Sequence, residues 1–265
     1  LATHLSDAEE EATQKESVKL WERYTSLEPH DPRGFRYLGI AYSALENKVQ
    51  TEAAYRKALE LNPADDINYY YLVYFLAVND RVAEVKPLLV AYDQHKDTDE
   101  DVFVMTIQQL YFASEAAAAE KLAASEPARV KNSSEANVIL GRIHLDAGRY
   151  AVALNYLKIA AKLDEKTADP HIAISRLHRK QARFSAALKA SDQAIKLDPE
   201  YSEAYYERAC ALARLGRLKD AMTALEKSIE LDEDQLDYIA DEGDLKPLSS
   251  LPAFKKLLAP PAEKP

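Results

Sequence analysis

The sequence has few of the residues on which disulfide-bonded or cysteine-based metal domains depend. Its single cysteine, Cys210, excludes an internal disulfide and a cysteine-cluster metal site. Only six glycines occur in 265 residues, too few for the many tight turns of an all-β fold. These scarcities favour a helical protein and leave the compartment open between cytoplasm and periplasm.

Long apolar runs and an excess of positive charge are also missing. No stretch of about 18 apolar residues occurs, so we expect no membrane insertion, and the first residues lack the pattern of a signal peptide. The formal net charge of -10 argues against a general binder of nucleic acid or of anionic membranes. We therefore expect a protein partner.

A period of 34 residues runs through the chain without an insertion. The repeat units begin at Pro32, Asp66, Glu100, Ser134, Ala168, Ser202 and Leu236. Small residues recur at the eighth position, as in Gly39 and Gly141, where they would let the first helix of a unit approach the second. The period predicts two antiparallel helices in each unit.

Two segments carry a resemblance to a known family. The stretches YLGIAYSALENKVQTEAAYRKALELNP and LGRIHLDAGRYAVALNYLKIAAKLD resemble the tetratricopeptide repeat. The resemblance, to bacterial arrays with a C-terminal capping segment, implies an all-α, right-handed superhelical solenoid of antiparallel helix pairs. It further implies a scaffold that binds a peptide or protein segment in its concave groove and is not an enzyme.

We predict one continuous solenoid domain. Its parts are a truncated first repeat at residues 1–31, repeats at 32–65, 134–167, 168–201 and 202–235, degenerate repeats at 66–99 and 100–133, and capping helices with a tail at 236–265. Because the first repeat retains mainly its second helix, we expect further residues to precede Leu1.

Several helix starts are marked by capping residues. Asp31 and Asp169 each precede a proline, and Ser134 and Ser202 open their repeat units. Asp and Ser side chains accept hydrogen bonds from the first backbone N–H groups of a helix, and proline fits its first position. All four residues are therefore predicted to cap their helices.

Two aromatic helices stand out in the degenerate repeats. Residues 67–76 and 102–113 are apolar or aromatic around most of their circumference. The register of the family places six of their side chains on the concave face: Val104 and the five candidate binding residues Tyr70, Tyr74, Gln108, Tyr111 and Phe112. An uncovered aromatic patch indicates a binding surface, and the alternative is that these rings are the core of a tightly wound superhelix.

Arginines occupy the same inward positions in the later repeats. They are Arg142, Arg176, Arg179 and Arg214. Guanidinium groups at fixed spacing would bind the acidic groups of an extended peptide. The alternative is that they pair with nearby acids of the chain itself, namely Glu135, Asp146, Asp169 and Glu203.

No catalytic, cofactor or metal site is predicted. His171 and His178 lie about 10.5 Å apart along one helix, too far to bind one ion together. The residue set of the two-carboxylate clamp, with which some family members bind chaperone C-termini, is not matched. Two further hypotheses stay open: a homo-oligomerisation module, and an accessory domain of a larger enzyme or secretion-machinery protein.

Overall fold

The computed structural model describes residues 2–95, 101–232, 239 and 242–258, with side chains from residue 10 onward. Within these ranges every regular element is a helix and no strand is present, so the predicted all-α class is confirmed. The chain divides into two compact units, Leu1–Arg129 and Val130–Pro265. Each unit is a stack in which helices pack against their neighbours in the chain.

Unit 1 opens with a long helix and continues with helix pairs. Its elements are α1 (Ala2–Leu27), α2 (Pro32–Ala44), α3 (Lys48–Leu61), α4 (Asp66–Val78), the 3-10 turn η1 (Val82–Glu84), α5 (Val85–His95), α6 (Val102–Phe112) and α7 (Ala116–Ser125). Helix α2 packs against α1 and α3, and α4 packs against α5 and α6. The division between the units falls within a short helix, α8 (Pro127–Asn132).

Unit 2 consists of three regular helix pairs and a terminal segment. Its elements are α9 (Ser134–Asp146), α10 (Tyr150–Leu163), α11 (Asp169–Lys180), α12 (Phe184–Leu197), α13 (Ser202–Arg214), α14 (Leu218–Leu231), the 3-10 helix η2 (Gly243–Leu248) and α15 (Pro252–Leu257). The inward helices α9, α11 and α13 also contact one another in sequence order. This contact brings side chains of successive helix pairs together.

Three aspartates start the first helices of the pairs in unit 1. Asp31, Asp65 and Asp101 precede α2, α4 and α6, and each side chain accepts a hydrogen bond from a backbone N–H of the first turn. These bonds satisfy donors that have no partner inside the helix. The prediction that Asp31 caps its helix is therefore confirmed.

The other three predicted caps are wrong by one residue. The residues at the capping positions of α9, α11 and α13 are Ser133, Ala168 and Tyr201. Ser134 instead donates its hydroxyl hydrogen bond to the Ala160 carbonyl, and Ser202 donates to Asp232. Asp169 lies in the first turn of α11, where its negative charge is favourable for the helix dipole.

Two glycines let paired helices approach closely. A Cβ built on Gly39 would lie 2.4 Å from the Tyr55 ring, and a Cβ on Gly141 would lie 2.6 Å from Leu157. In each case the eighth residue of a repeat faces the second helix of the same pair. The small residue at this position therefore has the role that the sequence predicted.

The terminal segment covers an apolar face of unit 2. Leu245, Leu248 and Phe254 belong to one buried cluster with Leu212 and Leu225 of the last helix pair. Of the predicted cap at 236–265, residues 236–238, 240, 241 and 259–265 lie outside the described residues. The part that is described ends the stack with buried leucine and phenylalanine side chains.

Candidate functional site

A groove of about 920 Å³ lies in unit 1, between helices α2, α3, α4 and α6. Its wall is formed by five aromatic side chains: Tyr55, Tyr70, Tyr71, Tyr74 and Phe75. Ile40 and Val78 add apolar surface, and Glu46 and Lys48 bring opposite charges. We call this surface the aromatic groove.

The aromatic rings of the groove contact one another in a continuous chain. Tyr55 stacks on Tyr71 with 5.4 Å between ring centroids, and Tyr71 meets Tyr70 edge-on at 5.1 Å. Tyr74 lies 6.1 Å from Tyr70, and Phe75 lies 6.2 Å from Tyr55. Such distances are those of favourable aromatic pairs, so each ring helps to fix the position of the next.

Burial keeps the hydroxyls of Tyr55, Tyr70 and Tyr74 protonated at neutral pH. Tyr55 is only 5% exposed, whereas Tyr70, Tyr71 and Tyr74 are half-buried and accessible. Burial raises the pKa of Tyr70 to about 12 and holds the pKa of Tyr55 well above its usual value. Burial also raises the pKa of Tyr74. Of the accessible rings, Tyr70 and Tyr74 therefore present O–H groups that can donate hydrogen bonds.

Polar contacts fix the start of α4 against the two preceding helices. The Arg36 guanidinium binds the Asp65 carboxylate at 3.1 Å and the side-chain carbonyl of Asn68 at 3.1 Å. The Asn68 amide donates to the Ala58 carbonyl of α3 at 3.1 Å. Arg36 and Asn68 are both buried, where such bonds hold their partners firmly. The helix that carries three of the groove tyrosines is therefore held in place.

The structure divides the five predicted aromatic-site residues into two groups. Tyr70 and Tyr74 line the aromatic groove, whereas Gln108, Tyr111 and Phe112 do not. Phe112 is 64% exposed and contacts Tyr111 with 5.7 Å between centroids. The helix α6 contributes Gln109 to the groove instead of Gln108.

Sequence reasoning missed the other aromatic residues of the groove. Tyr71 and Phe75 lie on the same largely apolar helix as the predicted pair, but the family register did not place them on the concave face. Tyr55 belongs to the second helix of its repeat, at a packing position. Its ring reaches the groove because Gly39 leaves room for it. The glycine at the eighth position was the signal that could have identified Tyr55.

The predicted arginines of unit 2 bind carboxylates of the chain itself. Arg176 forms ion pairs with Glu203 and, at 3.1 Å, with Glu207. Arg179 binds Glu207 at 2.7 Å. Glu207 is fully buried, so its two oxygens are shared between these guanidinium groups rather than hydrated.

The network extends into the terminal segment. The Asp244 carboxylate in η2 binds Arg179 at 2.5 Å and Arg214 at 2.8 Å. Burial opposes the charge of Arg179, but the Glu207 carboxylate keeps its pKa above the usual value. The first of the four predicted arginines in the chain, Arg142, binds Asp169 at 3.1 Å. All four predicted arginines thus have acidic partners within unit 2.

Two classes of site are not found in the part of the chain that the structure describes. No group of three or more His, Cys, Asp or Glu side chains is placed to hold a metal ion. None of the described helices is both long and apolar enough to cross a membrane.

Comparison with known proteins identifies the repeat. Residues 172–235 match the family model of the tetratricopeptide repeat. No curated protein sequence matches the chain. Among solved structures, the hetero-tetramer of the APC/C described as Cut9-Hcn1 aligns with 97% of this chain at a TM-score of 0.51 and 15% identity, and this chain spans about half, 48%, of that one.

Two further structures have lower similarity. YrrB, described as a TPR protein with an unusual peptide-binding site, aligns with 83% of this chain and 95% of its own at 16% identity and a TM-score of 0.38. A MamA protein aligns with 79% of this chain and 96% of its own at 16% identity and a TM-score of 0.39.

The family match and the fold agree. The matched residues 172–235 run from α11 to α14, two successive helix pairs, and further helix pairs precede them in both units. Folds of this family serve as scaffolds for protein–protein interaction. Residues 172–235 are therefore identified as tetratricopeptide repeats, and the other described helix pairs share their all-helical architecture.

Proposed function

We propose that this protein is a non-catalytic scaffold that binds a segment of another polypeptide in the aromatic groove of unit 1. The observation that carries the proposal is the wall of five contacting aromatic rings, three of them accessible, along a groove of about 920 Å³. Tyrosine is enriched at protein interfaces because it supplies apolar area and a polar group at little conformational cost.

The chemistry of the groove fits an extended segment of polypeptide. Its ring faces would cover apolar side chains, and the protonated hydroxyls of Tyr70 and Tyr74 would donate to backbone carbonyls. Because α4 is held by Arg36 and Asn68, little conformational freedom is lost when a ligand binds. The groove is thus organised for binding before the partner arrives.

The arginines of unit 2 fit a partner less well than the sequence indicated. A peptide carboxylate would have to displace Glu203 or Glu207 from Arg176, and Asp244 from Arg179 and Arg214. Leaving a buried carboxylate without its partner costs several kcal/mol, about 3–5 in comparable sites. Recognition of acidic groups by these arginines remains a prediction, and the aromatic groove is the site we propose first.

Selection from a random peptide library tests the proposal without requiring the natural partner. Random 12-residue peptides displayed on phage would be selected on the complete chain, and synthetic versions titrated by fluorescence anisotropy. Replacing Tyr74 or Tyr71 by Ala should weaken binding about thirtyfold, since an aromatic anchor contributes about 2 kcal/mol. The helical circular-dichroism spectrum should be unchanged.

The matched control is Tyr205→Ala. Tyr205 lies on α13 in unit 2, is also half-buried and lines no part of the groove. Its replacement should change the affinity less than twofold. Selected peptides that bind the Tyr71 and Tyr74 variants as tightly as the wild type would refute the proposal.

A further inference from the structure

The aromatic groove lies where three helices end. Ser43 and Ala44 of α2, Val78 of α4 and Gln109 of α6 all line it, and they belong to the C-terminal turns of these helices. The C-terminus of a helix carries about half a negative charge from its aligned peptide dipoles. One helix, α3, begins at the same groove, and the Asn47 side chain caps its first turn.

The helices that end at the groove lack the basic side chains that normally offset this charge. The last turns of α2, α4 and α6 contain no basic residue. In unit 2, by contrast, the last turns of α10, α11, α12 and α13 contain basic residues: Lys162, Arg179 with Lys180, Lys196 and Arg214. The negative helix ends at the groove are therefore not neutralised from within their own helices.

Carboxylates add to the negative potential. Glu46 lines the groove, and Glu115 follows α6 close enough to Tyr74 to contribute, after burial, to the raised pKa of its hydroxyl. Over the described ranges neither carboxylate forms an ion pair. Lys48 is the single cation among the described residues that line the groove. The balance of charge at the groove is negative.

The faces of aromatic rings also favour a positively charged ligand. The face of an aromatic ring carries a partial negative charge and attracts a guanidinium or ammonium group within about 6 Å. Tyr70, Tyr71 and Tyr74 line the groove in a half-buried setting, where the attraction of a cation to a ring is less screened than in open water. The net charge of -10 would also draw a basic segment towards the protein.

We propose that the segment bound in the aromatic groove is basic and inserts an arginine or lysine side chain among Tyr70, Tyr71 and Tyr74, at the ends of α2, α4 and α6. This inference rests on the proposed function and adds the charge of the partner to it. It gives the partner the opposite charge from that predicted by the arginines of unit 2.

The test uses the peptides selected on the complete chain from the random phage library. Those that lose binding to Tyr74→Ala should be enriched in arginine and lysine over the unselected library. In V78K a lysine ammonium would occupy the C-terminus of α4, where it suits the helix dipole but repels a ligand cation. We expect V78K to weaken binding about tenfold, and V78Q, of similar length and no charge, to weaken it less than threefold.

The outcomes separate this inference from the proposed function. Groove-dependent peptides without basic enrichment, or equal losses in V78K and V78Q, would overturn the inference and leave the binding function standing. The absence of any peptide that depends on Tyr74 would overturn both. Thermal unfolding of V78K at or above the wild-type midpoint would show that its loss of binding does not come from unfolding.

Discussion

Gly141 sets the distance between the two helices of its pair. A methyl group at this position would lie 2.6 Å from Cγ and Cδ2 of Leu157, which is closer than real Cβ contacts. We therefore expect Gly141→Ala to lower the free energy of unfolding by about 1–3 kcal/mol, the usual cost of overpacking. Urea denaturation followed by circular dichroism measures the change.

Gly243 provides the control for this substitution. A Cβ at Gly243 meets no atom within 4 Å, so Gly243→Ala should leave the urea midpoint nearly unchanged. Equal midpoints for the Gly141 and Gly243 variants would contradict the packing role of the glycine.

Asp31 stabilises the start of α2 through hydrogen bonds to its carboxylate. Its carboxylate accepts from the Arg33 N–H at 2.9 Å and from the Tyr24 hydroxyl at 2.7 Å. We expect Asp31→Ala to cost about 1 kcal/mol and Asp31→Asn, which retains a capping oxygen, to cost less. Thermal melts at neutral pH measure both changes, and equal losses would contradict the capping account.

The same bonds predict a pH dependence. The Arg33 side chain and the Tyr24 hydroxyl lower the pKa of Asp31 in the folded protein. The contribution of Asp31 to the stability of the fold is therefore complete above about pH 4, and it is lost as acid protonates the carboxylate of the folded protein. The difference in melting temperature between the wild type and Asp31→Ala should therefore narrow in strong acid. A difference that grows on acidification would refute the assignment.

Comparison of Asp31 with Asp169 shows the limit of local sequence patterns. Both precede a proline, but only Asp31 caps its helix. The Asp169 carboxylate instead accepts from Arg142 at 3.1 Å and from the Tyr201 hydroxyl at 2.9 Å, partners 27 and 32 residues away. A local motif cannot show such competitors, because they arrive only when the helix pairs stack.

At the scale of elements, a buried ionic network joins α11, α13 and η2. Arg179 binds Glu207 and Asp244, and Glu207 is fully buried. We expect Arg179→Met to lower the free energy of unfolding by about 3 kcal/mol or more, because a buried carboxylate loses a partner. Adding Glu207→Leu should restore part of the loss, so that the two changes are far from additive.

An exposed pair serves as the comparison for this cycle. Lys227 and Glu230 are 3.0 Å apart on the surface of α14, and their removal should cost less than about 1 kcal/mol. Chemical denaturation of the single and double variants gives both coupling energies. Additive losses for Arg179 and Glu207 would mean that the network does not act as a unit.

The sequence predicted some elements well and others only in part. Pro127 follows the alanine-rich segment closely, and α7 has only 10 residues. The all-apolar character of α4 could not tell which rings pack and which line a groove. That choice depends on where α2, α3 and α6 lie, and hence on contacts between residues far apart in the chain.

At the scale of the whole molecule, the 34-residue period was enough to predict the fold. Each repeat buries its apolar faces only by stacking, so the period itself encodes helix pairs. The pairing of the arginines was harder to predict, because Arg179 and Asp244 are 65 residues apart and their contact depends on the terminal segment. Arginines whose partners the repeat pattern does not reveal form ion pairs with carboxylates in the folded unit.

The most direct test of the binding function is to observe the groove tyrosines while a ligand binds. The complete chain, labelled with 3-fluorotyrosine, would be titrated with a library-selected peptide and followed by fluorine NMR, with signals assigned by single Tyr→Phe variants. We predict that the signals of Tyr70, Tyr71 and Tyr74 shift in proportion to peptide bound, while that of Tyr205 stays in place. Saturable binding that leaves the three groove signals unmoved and shifts only tyrosines of unit 2 would contradict the account.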